Sequence, residues 1–405
     1  MSFGFGNDFR ITVFGESHGK CVGVVVEGCP AGLLISEEEL QQELDKRKPG
    51  TGLSSARQET DAAIIMSGIM DRKTNGGPIA IMVMNKDADP SWYGRNRAIP
   101  RPGHADYTAY VKYAGFNDWR GGGFFSGRMT AAIVMAGAIA KTLLRNKGIK
   151  VMAHLVQLGK VQAKEELTDE QIEVAAPKSL VWCASAEESS LMIGELEKAR
   201  AESDSLGGIV ECRVLGLPVG IGEPIFNSVE SIISHGIFSI PAVKGIEFGS
   251  GFRLAGMRGS EANDEFALEG RKIVTKTNRC GGILGGITDG MPVILRVAFK
   301  PTPSIGKGQR SVDMMELQEA QIRVDGRHDP CIAVRAVPVV EAMVASCLAD
   351  LMIRAQKIAR IDGEGKREDN CKGMSKAEDK REYKGEAESR KSSKNDGDNL
   401  EPRRK

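Results

Sequence analysis

The stretch "RMTAAIVMAGAIAKTLLRNKG", residues 128–148, decides the fold. After Arg128 every residue is small or apolar until Lys141. A helix that is apolar on nearly every face belongs between layers, so the stretch predicts a buried helix, the longest of the chain, stopped by Gly148. "VPVVEAMVASCLADLMIRAQKIAR", residues 337–360, predicts a second long helix starting near Pro338. The layers come from strand-like runs rich in Val and Ile and closed by Gly, Pro or Asn. These are Ile11–Phe14, Val22–Val26, Ile79–Met84, Val151–Leu158, Ile209–Val214 and Val293–Phe299.

Shorter helices open at two capping boxes, Ser36 to Glu39 and Thr168 to Gln171, the first running to about Arg47 and closed by Lys48-Pro49-Gly50. Gly28-Cys29-Pro30-Ala31-Gly32 and Gly216-Leu217-Pro218-Val219-Gly220 each follow a strand and precede a capped helix. A duplicated unit produces that echo, and so does chance. The reading is one compact core, residues 1–360, with two similar halves.

With 48 glycines and 5% aromatic residues, the composition is that of a soluble α/β or α+β protein rich in tight turns. No basic segment followed by an apolar core opens the chain, and no stretch is read as apolar for the length a membrane helix needs, so the expectation is a cytoplasmic protein without a membrane partner. None of the eight cysteines forms a C-x-x-C pair, which points to isolated thiols in a reducing compartment. Residues 361–405 carry 13 Lys/Arg and 12 Asp/Glu with few large aliphatics, a composition expected to stay disordered. The rest of the chain is charge-neutral, which argues against nucleic-acid binding.

Chemistry concentrates in a few glycine-framed turns. His18 follows Ser17 in "GESHG", a turn between strands where glycines let a ligand approach, and an imidazole there exchanges protons near neutral pH. In "RPGHADYT", Arg101 and His104 precede Asp106; a ligand phosphate held by Arg101 would lie in proton-transfer reach of His104, while a plain turn histidine paired with Asp106 explains the same text. "WRGGGFFSGRMTAA" places three glycines, Phe124, Phe125, Ser126 and Arg128 at the head of the buried helix, an anion site or a glycine-rich turn packed on a sheet. "CGGILGGITDG", with Gly285, and "FKPTPSIGKG", with Lys300, Pro301, Thr302, Pro303 and Ser304, flank the Val293–Phe299 strand. They read as ligand-contacting loops or as hairpin and surface loops. "GRHDPCIAVRAVPVVEAM" gathers Arg327, His328, Asp329 and Arg335, an ion-pair turn or a carboxylate tuned for proton transfer. No metal-ligand spacing occurs. Together these segments suit a polyanionic small molecule with a phosphorylated cofactor.

These segments closely resemble the chorismate synthase family. "GESHGKCVGVVVEGCP", "GLSSARQETDAAIIMSGI" and "RHDPCIAVRAVPVVEAM" match its three signatures in order, with "RPGHADYT", "RGGG", "SIPAVKG", "CGGILGG" and "KPT" between them, over about Phe9 to Arg354. The resemblance implies an α+β fold, a β-α-β sandwich with an internal pseudo-repeat, and assembly as a homotetramer. It implies an anti-1,4-elimination of phosphate from 5-enolpyruvylshikimate 3-phosphate to give chorismate, dependent on reduced FMN (FMNH2) without net redox change. NADPH acting on the chain itself, or a separate flavin reductase, is the implied reductant. Carried over by motif, Ser17, Arg47, Arg101 and Arg128 hold the substrate. His104 protonates the departing phosphate, His18 sets the flavin's protonation state, and Asp329 helps move the carbon-6 proton through the flavin N5. Phe124, Phe125, Ser126, Gly285, the loop Lys300, Pro301, Thr302, Pro303, Ser304, and Arg327 contact FMN. The chain departs from the pattern at Leu53, where many members have a second arginine: either Arg57 compensates or one anion contact is missing. It departs also at Phe124-Phe125, where bacterial members usually have Arg-Ser, and at Lys46 and Lys48, which replace arginines.

Overall fold

All six Val- and Ile-rich runs pair into two five-stranded antiparallel sheets. In the first, Gly4–Phe5, Arg10–Gly15, Cys21–Glu27, Ile79–Met84 and Ala63–Ile65 lie side by side in that order. In the second the order is Val243–Phe248, Val293–Phe299, Gly208–Leu215, Lys150–Leu158 and Val161–Gln162. Alternate residues of each strand point inward: Val22, Val24 and Val26 are wholly buried, as are Val293, Leu295 and Val297. A computed structural model describes residues 3–48, 61–86, 89–164, 167–325 and 329–359, all within one compact unit that ends at Arg360.

The helix Thr130–Arg145 packs against the first sheet and Ala333–Arg354 against the second, and the two helices pack on each other between the sheets. Gly137 makes that crossing close: a Cβ there would run into Ala342. Two sequence expectations need correction. Ala333–Arg354, with 22 residues, is the longer helix; it starts five residues before Pro338, which sits inside it and is buried. Packing on both sides offsets the one backbone hydrogen bond a proline forfeits. Second, Gly127–Arg145 and Ala333–Arg354 are long and apolar enough to cross a membrane by length and composition, but the first is largely and the second wholly buried inside the protein.

The echo of G-x-P-x-G marks a true duplication. Leaving aside inserted elements, such as the helices Asp169–Ala175 and Ala186–Ala201 of the second half, each half runs strand, strand, helix, strand, strand, long helix, and each places its four strands in the spatial order first, second, fourth, third. The short helices are Glu37–Lys46 and Val229–Ile237. The match reaches individual atoms. Thr74 Oγ1 donates to Pro30 O (2.5 Å) and accepts from Leu33 N (2.9 Å); Thr288 Oγ1 donates to Pro218 O (2.7 Å) and accepts from Ile221 N (2.9 Å). Gly28 (φ +76°) and Gly216 (φ +80°) press against the carbonyls of Asp8 and Gly148, each just before its half's first strand, so neither position can carry a side chain.

Sequence periodicity missed the edge strands Ala63–Ile65 and Val243–Phe248 and the hairpin Gln309–Asp313/Gln318–Ile322. The first has only three residues and the others mix Lys, Gly and polar residues, as edges exposed to water do. Thr168 and Gln171 form the reciprocal capping box. At Ser36 only half forms: Ser36 Oγ accepts from Glu39 N (3.2 Å), while the Glu39 carboxylate pairs with Arg145 (2.9 Å). Leu53, Arg57, Arg327, His328 and the charged segment 361–405 lie outside the described residues.

Candidate active site

Both long helices aim their N-termini at one cavity of about 780 Å³, lined by Thr130 from one and by Ile332 and Ala336 from the other. The equivalent strands Ile79–Met84 and Val293–Phe299 end beside it and deliver Asn85 and Lys300. Among the described residues, seven cationic side chains and four carboxylates line this space. That surplus, with two helix N-termini, attracts an anion.

His104 is held by neighbours on its own turn. Its Nδ1 lies 2.7 Å from Asp106 Oδ1, with Arg101 Nη2 at 3.1 Å. Arg101 grips both oxygens of Asp106, through Nε and Nη2 at 2.7 Å each, and donates from Nη1 to Ser304 Oγ at 3.1 Å. Its guanidinium also lies over the Tyr93 ring, 5.3 Å from the centroid. Three of its five N–H donors are spent on Asp106 and Ser304, holding the histidine turn against the 300–304 loop. Burial pushes His104 below the usual imidazole value; the hydrogen bond to Asp106 opposes this and the Arg101 charge adds to it. Burial raises Asp106, yet hydrogen bonds from Arg101 and His104 outweigh it and hold the carboxyl well below the usual range.

His18 stands edge-on to Tyr93, ring centroids 5.4 Å apart, and faces the glycine run. Gly121, Gly122 and Gly123 all have positive φ. A side chain on Gly121 would strike the His18 ring, and one on Gly122 would press on His104. The His18 turn is tied down by Asn85, whose Nδ2 donates to Glu16 O and Gly19 O (2.9 Å each) while its Oδ1 accepts from Arg128 Nε (3.0 Å). Ser17 is 1% exposed, and its Oγ lines the cavity without a hydrogen-bond partner among the described residues.

Arg47 and Arg128 share Asp61. Arg47 Nη2 lies 2.9 Å from Asp61 Oδ2, and Arg128 Nη1 is bonded to Asp61 Oδ1. All three side chains are buried. Burial pulls Arg47 down to about 10, Arg335 and Arg128 add to the fall, and Asp61 opposes it. Asp329 pairs with Arg335 Nη1 at 2.7 Å, and Arg335 Nε donates to Arg47 O at 3.1 Å.

Of the residues expected from sequence, Ser17, His18, Arg47, Arg101, His104, Phe124, Phe125, Ser126, Arg128, Lys300, Thr302, Pro303, Ser304 and Asp329 converge on this cavity. Phe124 and Phe125 stack at 4.6 Å within an aromatic cluster that includes Tyr113 and Phe3. Lys300 Nζ donates to Gly103 O, joining the two loops, and its ammonium is lowered by burial and by Lys244. Gly285 and Pro301 do not line the cavity: Gly285 sits in the short hairpin Ile283–Leu284/Ile287–Thr288, and the Pro301 ring packs at Gly207. Arg327 lies outside the described residues.

Sequence reading assigned no role to Asp61, Asn85, Tyr93 or the segment 238–244, all of them at the cavity or bonded to its lining, and named Arg335 only as a neighbour of Asp329, with which it pairs. Ala242, a non-glycine residue at φ +70°, belongs to that segment and accepts from Lys300 N (3.0 Å). Of these, the segment carried a signal within "SIPAVKG" and Asp61 one within "GLSSARQETDAAIIMSGI". The others are ordinary residues made special by what folds against them.

The chain compares closely with known proteins. The family model described as chorismate synthase matches residues 9–353. A chorismate synthase from Dehalococcoides mccartyi is 50% identical over 362 residues, 89% of this chain and 99% of its own length. One from Pyrococcus abyssi is 50% identical over 348 residues, covering 86% and 97%. A crystal structure of chorismate synthase superposes with a TM-score of 0.70 at 30% identity, covering 86% of this chain and 93% of its own. A match across nearly the whole folded unit, with its signature residues gathered on one cavity, means that this chain belongs to the chorismate synthase family.

Proposed function

We propose that the cavity binds 5-enolpyruvylshikimate 3-phosphate beside reduced FMN and eliminates phosphate to give chorismate, the lyase reaction of the family. The observation that carries this reading is the convergence of His18, His104 and Asp329 with Arg47, Arg101 and Arg128 on one space. Its volume lies toward the upper end of small-molecule sites, in keeping with two ligands. Buried donors without partners among the described residues support a ligand there: Ser17 Oγ, Thr302 Oγ1 and Arg47 Nε.

Phe124, Phe125 and Ser126, with the loop Lys300, Thr302, Pro303 and Ser304, are the described residues suited to FMN: rings for its flat apolar surface, hydroxyls and an ammonium for its phosphate. Gly285 and Pro301, away from the cavity, drop out of that set. Reduced FMN, when bound, supplies electron density to the reacting ring without being consumed. Arg47 and Arg128 hold the substrate's anionic groups. Asp106 accepts the Nδ1–H of His104, which leaves Nε2 for the ligand. A phosphate arriving beside His104 raises its depressed pKa, so the imidazole is charged only when there is a leaving group to protonate. Arg335 holds Asp329 at the cavity wall, where the carboxylate is placed to accept a proton.

In the same reading the chain works in the cytoplasm as a homotetramer, and NADPH or a separate reductase supplies reduced flavin. The outer face of the first sheet exposes Phe14, Ile64, Met66 and Met84, apolar surface suited to subunit contact; sedimentation velocity checks the assembly. The charged segment 361–405 is proposed to lie outside the catalytic unit. Photoreduced FMN under anaerobic conditions should support release of one phosphate per chorismate. Repeating the assay in air with oxidised FMN and NADPH tests self-sufficiency, and failure of the anaerobic assay would overturn the reading.

A further inference from the structure

We infer that Asp61 is a positioning residue: by bridging Arg47 and Arg128 it sets the spacing and angle at which two guanidinium groups meet an anionic group of the substrate. The inference rests on the proposed reading of the cavity. Each carboxylate oxygen of Asp61 serves one arginine. All three side chains are nearly removed from water, at 3%, 2% and 4% exposure for Arg47, Asp61 and Arg128, so this one carboxylate separates two cations that would otherwise repel each other.

Asp61 is itself fixed from outside the trio. It has φ +43°, a conformation an aspartate tolerates, just before the strand Ala63–Ile65. Gln41 on the helix Glu37–Lys46 anchors it, donating from Nε2 to Asp61 O (3.1 Å) and accepting at Oε1 from Ala63 N (3.1 Å). The carboxylate is therefore a fixed post and the long arginine side chains are what it arranges. A second observation points to a ligand: Arg47 lines the cavity, and its Nε is buried without a hydrogen-bond partner among the described residues. The trio keeps one net positive charge, and an arriving anion completes it.

Electrostatics agree. Burial raises Asp61, but Arg47 and Arg128 outweigh it and keep the carboxyl below its usual value. Arg47 is the group at risk. Burial, Arg335 and Arg128 lower it, and Asp61 is the charge that opposes them. Without Asp61 the alkaline loss of the Arg47 charge moves to lower pH.

The test uses the full chain with 5-enolpyruvylshikimate 3-phosphate and reduced FMN. D61N should raise KM for the substrate about tenfold with kcat changed by less than about threefold and the dissociation constant of oxidised FMN unchanged. D61E, which keeps the carboxylate, should restore part of the lost substrate affinity. Wild-type KM in folded D61N would overturn the inference. So would a parallel collapse of KM, kcat, FMN binding and melting temperature, which would mark a merely structural residue. Should D61N not fold, Gln41→Ala decides: a rise in substrate KM alone supports the post, and no change overturns it. An inactive wild type would overturn the reading of the cavity and this inference with it; an active wild type beside an indifferent D61N overturns this inference alone.

Discussion

Gly122 lies flat against His104: a Cβ built on this glycine, held at φ +85°, would stand 3.0 Å from the imidazole Cε1 and 3.2 Å from Nε2. Gly121 has the same relation to His18. The glycine run spaces both imidazoles by having no side chains. We expect Gly122→Ala to cost about 1–2 kcal/mol of stability from its positive φ and to lower turnover at least about tenfold by displacing the proton donor. Paired melting and turnover measurements check this; unchanged turnover would mean that the ring is not held by the glycine.

The histidines themselves should matter more than their supports. His18→Ala and His104→Ala are expected to keep the melting temperature within a few degrees and to lower turnover by ~10²–10⁴. Wild-type turnover in both variants would end the proton-transfer assignment.

Substrate binding should take up a proton. His104 is lowered by burial in the free protein, and a phosphate dianion beside it reverses that balance. Calorimetry in buffers of different ionisation enthalpy near about pH 7 should detect net uptake, absent in His104→Gln. Equal uptake in that variant would place the proton elsewhere.

Away from the cavity, Glu211 offers a test of the second sheet. Burial raises its carboxyl, but His154 at 3.4 Å and Arg213 at 2.8 Å more than compensate and bring it from 4.5 to about 2. A carboxyl lowered on folding stabilises above its unfolded value and loses that contribution as pH falls. Glu211→Gln should therefore cost about 3 kcal/mol near neutral pH, and the gap should close from pH 4.5 toward 2. Urea titrations across that range decide; a gap independent of pH would show that charge is not the cause.

Ending the chain after Arg360 should leave chorismate formation and melting temperature unchanged, since the family match stops at residue 353. A fall in specific activity would place residues 361–405 in the working assembly.

Much of this was legible in the letters. Alternating Val and Ile marked the six main strands because inward and outward positions differ in polarity at period two. All-apolar faces marked the two central helices, and glycine-framed histidines marked the site. The edge strands were hidden because Ala63–Ile65 is too short to show a period and Val243–Phe248 is interrupted by Lys244 and Gly245, and the start of the last helix was hidden because packing overrode the proline at 338. The duplication left one visible trace, G-x-P-x-G, and needed the Thr74 and Thr288 hydrogen bonds to become certain.

The sequence by itself determined which segments are buried, which turns have room for a ligand and which family signatures stand in order, because hydrophobic period, turn chemistry and motif are properties of neighbours along the chain. Only the tertiary structure decided that Arg101 reaches across to Ser304, that Asp61 stands between Arg47 and Arg128, and that Gly285 stays away from the cavity. Those facts depend on charges and carbonyls brought together from distant segments. Contacts of that kind arise when two sheets close over two helices, and no local pattern encodes them.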